Sequence, residues 1–238
     1  MIGWLLLARA TPSLWPPPTT VVFPHPWREV GWALGSVAAV LGIGLLYGAG
    51  WLLPGTGPLR LPFEALNQLV IFSPMLVLLA VRRQPLNTAW PPARRIWLRV
   101  GGGLGIALLA TLLFSLARTG SAPWPAIVLR VYHPRNVAFA IQVLLEDVTI
   151  AILFVRFAAA VGLRGTIPVV ATLFAAAHIP AMLQGGAAWP ELTRLALDAG
   201  LGVGILSVVR RSADVWWFWM VHFAMDMMQF YAVPPAAA

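Results

Sequence analysis

The stretch Ile141-Gln-Val-Leu-Leu-Glu146-Asp147-Val-Thr-Ile-Ala151-Ile-Leu-Phe154 decides how the fold is read. It sets two adjacent acids in the middle of an apolar run long enough to continue as a membrane-spanning helix. An acid at the centre of such a helix costs roughly 2.5 to 3.5 kcal/mol on insertion scales. Two of them need partners inside the protein. Ionisable groups within spans usually line a cavity or a proton path.

Composition supports the same reading. Of 238 residues, 60% are hydrophobic and 10% charged, where a soluble domain carries about 25% charged residues. The sequence predicts an all-α polytopic membrane protein, a bundle of about seven (six to eight) transmembrane helices. Cysteine is absent, so disulfides and thiolate metal sites are excluded. The net charge of +8 comes from arginine alone. It reads as loop charge that sets topology, together with a GC-rich, bacterial genome. Nucleic-acid binding would need a basic stripe on a soluble face, and no segment offers one.

Outward from the acidic pair, the chain divides into residues 1–29 and a single helical domain, 30–238, with a core over 136–230. Met1 to Ala8 lacks a basic start and reads as an interfacial or uncleaved segment. Thr11 to Pro26 is rich in proline and is expected to run extended over the surface. Spans are predicted at Val30–Leu53, Phe63–Val81, Trp97–Ala117, Val137–Ala160, Ile167–Leu183, Leu192–Val209 and Val215–Val233, each near the length that about 30 Å of hydrocarbon demands. Glu64, at the edge of the second, reads as solvated. Gly101 to Gly103 suit close helix packing; no strand precedes them and no lysine follows, so they are no phosphate loop. Trp124 to Tyr132 is expected in the interface.

With seven spans, Arg60, Arg118, Arg130, Arg135 and Arg194 fall on one side and the remaining eleven of the 16 arginines on the other. The positive-inside rule then places the N-terminus in the cytoplasm and the C-terminus outside, in a cell (inner) membrane.

Polar residues recur at similar depth in three of these spans: Glu146 in the fourth, His178 in the fifth, His222 and Asp226 in the seventh. His222 and Asp226 are four apart and share a helix face, as do Phe174 and His178. Water attack on a peptide bond needs a base and donors for the oxyanion. A carboxylate taken out of water, such as Glu146, becomes a better base. Imidazoles can donate to an oxyanion, and Asp226 can fix the tautomer of a neighbouring ring. The same groups are compatible with two other chemistries. His178, His222 and Asp226 could hold zinc with an open position for water. A buried Glu–His pair could equally fix packing or carry protons.

At these residues the chain resembles the CPBP family of intramembrane proteases, which includes the CAAX prenyl endopeptidases and bacteriocin-processing or self-immunity proteins. The family pattern is Glu-Glu-x-x-x-Arg on one helix, Phe-x-x-x-His on a later one and His-x-x-x-Asn/Asp on the last. Here the three read Glu146-Asp147-Val-Thr-Ile-Ala151, Phe174-Ala-Ala-Ala-His178 and His222-Phe-Ala-Met-Asp226. The match covers roughly 136–230.

The resemblance implies a glutamic-type peptidase without a metal cofactor. In it Glu146 activates water with help from His178, His222 and Asp226 stabilise the oxyanion, and Asp147 and Phe174 support them. Its substrate would be a peptide or protein in the lipid bilayer, cut near a C-terminus or leader. Asp147 stands where the family has a second Glu, and Ala151 where it has Arg. The loss of that Arg leaves two alternatives, a divergent subgroup with different substrates, such as C-terminal sorting tails of exported proteins, or a catalytically inactive binding or immunity protein; the buried ionisable groups leave a proton-coupled transporter as a third. The sequence is silent on oligomeric state.

Overall fold

The computed structural model describes residues 2–12, 15, 21–186 and 188–229, and all regular structure among them is helical. The order is α1 (Ile2–Ala10), α2 (Pro26–Gly48), α3 (Arg60–Val81), α4 (Ile96–Thr119), α5 (Trp124–Val131), α6 (Val137–Ala176), α7 (Ile179–Gln184), α8 (Trp189–Val209) and α9 (Val215–Gln229). The end of the seventh predicted span, 230–233, lies outside the described residues. Among the described residues, four helical segments are long and apolar enough to cross a membrane: Pro26–Gly48, Arg60–Val81, Ile96–Thr119 and Pro134–Gln184.

Helix α6 is the centre of the fold. Every residue from Ile150 to Phe157 is buried, so these two turns are enclosed on all sides, as an almost wholly apolar helix must be. Helices α2, α3, α8 and α9 pack around it. The outer helices carry large exposed apolar side chains, Trp32, Leu45, Leu69, Val77, Leu109 and Leu113 among them. A lipid-facing surface needs no polar face.

The expected fourth and fifth spans are one run of helix interrupted at Gly162, where φ is 74° and ψ 166°. That backbone is strained for any residue with a Cβ. Its consequence follows from two contacts. On a straight helix, Asp147 and Phe174 would lie about 40 Å apart at 1.5 Å per residue. Yet Asp147 Oδ1 is 2.8 Å from His222 Nδ1, and the Phe174 ring centroid is 6.2 Å from that of His222. The chain therefore doubles back at Gly162, and the two arms, 137–161 and 163–176, lie side by side.

Three expectations need correction. The fifth span is not continuous to Leu183. Its helix ends at Ala176, and His178 caps the N-terminus of the short α7, a break that Pro180 and the small residues before it allow. Glu64 is not free in solvent: Arg60 Nε donates to its Oε1 at 2.7 Å, one turn away. Nor is the segment from Thr11 to Pro26 wholly a surface strand, because Trp15 is buried and Pro26 already opens α2.

Trp15 is held by Asp214, which lies between α8 and α9 with no exposed surface. The Trp15 Nε1–H donates to Asp214 Oδ2 at 2.6 Å. Arg99 Nη1 donates to the same oxygen. Oδ1 accepts the Trp216 backbone N–H at 2.9 Å, which caps the first turn of α9. Burial pushes the Asp214 carboxyl above its usual range, and the Arg99 guanidinium offsets part of that. Nearby, α4 and α9 meet closely. A Cβ on Gly103 would stand 2.6 Å from the Trp217 Cα, so the expected role of this glycine holds.

Removing Asp214 leaves Arg99 buried without its counter-ion and unties the N-terminal segment. We expect Asp214→Ala to cost about 3 to 5 kcal/mol, the usual penalty for breaking a buried pair. Thermal melts in detergent check this, and an unchanged midpoint would show that the cluster contributes nothing to stability.

Candidate functional site

The two arms of α6 and helix α9 bring the three sequence motifs to one place. His222 is its hub. Its Nδ1–H donates to Asp147 Oδ1 at 2.8 Å, since an ionised carboxylate can only accept. Its Nε2 stands 3.5 Å from Asp226 Oδ2, one turn along α9. Phe218, a turn before it, stacks on the ring with centroids 5.4 Å apart and planes 24° from parallel. Phe174 meets it edge-on from the second arm of α6. Two acids and two aromatic faces thus hold this imidazole on a rigid helix.

Phe174 also meets His178 edge-on, with centroids 5.0 Å apart. The same phenyl ring therefore touches both imidazoles. His178 Nδ1 lies 2.9 Å from the Phe174 carbonyl oxygen. A carbonyl only accepts, so the proton is on Nδ1. That leaves Nε2 with its lone pair in the neutral ring. His178 is exposed, unlike the half-buried His222. Because His178 sits at a helix break, its ring orientation is fixed by this backbone bond rather than by a continuous helix.

Glu146 is half-buried, and its Oε1 accepts a bond from Gln142 Nε2 at 2.8 Å. Asp226 interacts electrostatically with Glu146, His178 and His222 together. Asp147 is fully enclosed, and its second oxygen, Oδ2, has no hydrogen-bond partner. Adjacent positions on a helix point about 100° apart, which explains how neighbouring acids acquire such different surroundings. Asp147 turns into the bundle against α9; Glu146 turns toward the partly open side.

Each of the six residues named from sequence is therefore in or beside this cluster, with one change of role. Asp147, expected as a support, makes the tightest contact with His222, while Asp226 stands further off. Sequence reasoning missed Gln142 and Phe218. Both signals were present, since each lies four residues before the group it holds, on the same helix face.

The position of the motif Arg is Ala151, fully buried among apolar neighbours. Arg156 does not take its place. It bonds the Gln84 side chain and the Ile152 carbonyl, the latter at 2.9 Å, and lies 3.9 Å from Glu29. In this chain the cationic partner available to Asp147 is His222.

The ring nitrogens of His222 both face carboxylates. Among the described residues no group of three or more His, Asp or Glu is arranged to hold a metal ion. No protein-family model, curated protein or solved structure matches the chain.

Proposed function

We propose that the protein is an intramembrane endopeptidase of the CPBP type, which hydrolyses a peptide bond of a membrane-associated substrate with water activated by Glu146. One observation carries this reading. Three motifs, far apart in sequence, meet around Phe174, and each supplies the group that the chemistry needs. Glu146 is held by Gln142 through one oxygen, which leaves the other to take a proton from water. His178 presents Nε2 to that water. His222, steadied by Asp147, donates to the developing oxyanion, with Asp226 behind it.

In this reading the membrane is crossed seven times, by α2, α3, α4, both arms of α6, α8 and α9. A straight helix over Pro134–Gln184, the 51-residue apolar segment, would be about two and a half times as long as the bilayer core is thick; the bend at Gly162 turns it into two crossings. The arginine-rich end, with the 82–95 loop and the α8–α9 turn, faces the cytoplasm.

The test separates cutting from binding. Tagged protein is purified from cells with its co-purifying membrane peptides, and these are measured by mass spectrometry. The expected result is a set of peptides shortened at a constant position. A partner that stays bound at full length through prolonged incubation would support a binding or immunity protein instead. One observation favours a different class: an imidazole between two carboxylates is also a proton relay. Proton flux into liposomes carrying the protein, abolished by His222→Phe, would replace the peptidase reading with a transporter.

A further inference from the structure

A cavity of about 500 Å³ lies away from the site, at the arginine-rich end. The first arm of α6 supplies one wall, through Phe154, Val155, Ala158 and Ala159. The 86–93 loop supplies another, and the turn between α8 and α9 closes it with Arg210 and Ser212. That loop is fixed under α9, because the Val215 N–H donates to Trp90 O at 2.9 Å and Trp216 Nε1 to Pro92 O at 3.0 Å. Exposed Leu86 and Leu163 stand at its rim.

The cations near this end are not alike. Arg99 is neutralised by Asp214, and Arg82 by Glu29. Arg210 also lines the cavity, but its Nε is buried and has no hydrogen-bond partner. A buried donor on a cation is costly unless an anion meets it. An arginine fork suits phosphate, which it can bind through two parallel bonds. The remaining wall is apolar and opens past two exposed leucines, which suits a hydrocarbon chain. Inorganic phosphate would leave that wall unused.

We propose that this cavity binds an anionic phospholipid, with its phosphate on Arg210 and an acyl chain along the first arm of α6. Basic pockets between spans, on the side rich in arginine, recognise headgroups in this way. The proposal does not depend on the peptidase reading.

The experiment uses the full chain in detergent and counts bound lipid by native mass spectrometry. Phosphatidylglycerol, phosphatidylcholine of the same chains, and inorganic phosphate are titrated separately. The expected result is one phosphatidylglycerol held about tenfold more tightly than phosphatidylcholine, with no binding of inorganic phosphate. Arg210→Met should erase that preference. Arg211→Gln removes the same charge from the exposed neighbouring position and should keep it. Equal retention of the two lipids by the wild type overturns the proposal even if the Met variant fails to fold. So does a preference that survives in Arg210→Met, one lost equally in Arg211→Gln, or phosphate binding alone.

Discussion

Glu146→Gln is expected to lower peptide hydrolysis by about 10² to 10⁴, the loss typical of removing an acid–base group. The amide keeps the shape of the side chain and can still bond Gln142, which now donates to a carbonyl oxygen. What disappears is the ability to take a proton from water. Substrate should still co-purify with the variant, because the fold around α6 is unchanged. Single-turnover rates on a peptide recovered from the wild type make the measurement. A Gln variant that cuts at nearly the wild-type rate would make Glu146 a packing residue.

The second large effect is an asymmetry between the two acids on His222. Asp147 Oδ1 lies 2.8 Å from Nδ1, whereas Asp226 Oδ2 lies 3.5 Å from Nε2. The closer and fully enclosed acid fixes the orientation of the ring. Asp147→Asn is expected to cost about 10² to 10⁴ in kcat, as when an orienting acid is neutralised in a Ser-His-Asp triad. Asp226→Asn should stay within about tenfold of the wild type, because an amide at that distance can still shape the oxyanion site. Asp226→Ala, which leaves a gap beside the ring, should lose most of the activity.

The zinc alternative predicts otherwise. With Asp226 as a ligand, its Asn and Ala variants would both lose metal and activity, and chelator would inactivate the wild type. Positioning by Asp147 has a signature that a purely structural role lacks. The pH profile of kcat should move in Asp147→Asn and stay in place in Asp226→Asn.

Much of this arrangement was legible in the residues. Apolar runs of span length put α2, α3 and α4 within a few residues of their places, because in such runs composition alone dictates burial or lipid contact. The four-residue spacings put Phe174 with His178 and His222 with Asp226, since a helix has one geometry. What could not be read was how helices meet. Nothing local says that Asp147, rather than Asp226, makes the close contact with His222. That depends on which face of α6 turns to α9. The reversal between the fourth and fifth spans was expected between Ala160 and Ile167, but not that the single residue Gly162 makes it. A glycine in an apolar run is tolerated in a helix and becomes a hinge only when packing of both arms outweighs the lost helical bonds. Trp15 was obscured because a proline-rich setting suggests solvent, whereas its partner Asp214 is distant in sequence.

The central claim is that this cluster hydrolyses peptide bonds. The most direct measurement incubates membranes containing the wild-type protein in heavy-oxygen water and reads new C-termini by mass spectrometry. Hydrolysis through activated water predicts shortened peptides carrying one heavy oxygen in the new carboxylate. These should be present with the wild type and missing with Glu146→Gln. An identical set of labelled C-termini from the Gln variant, or none from the wild type, would contradict the account.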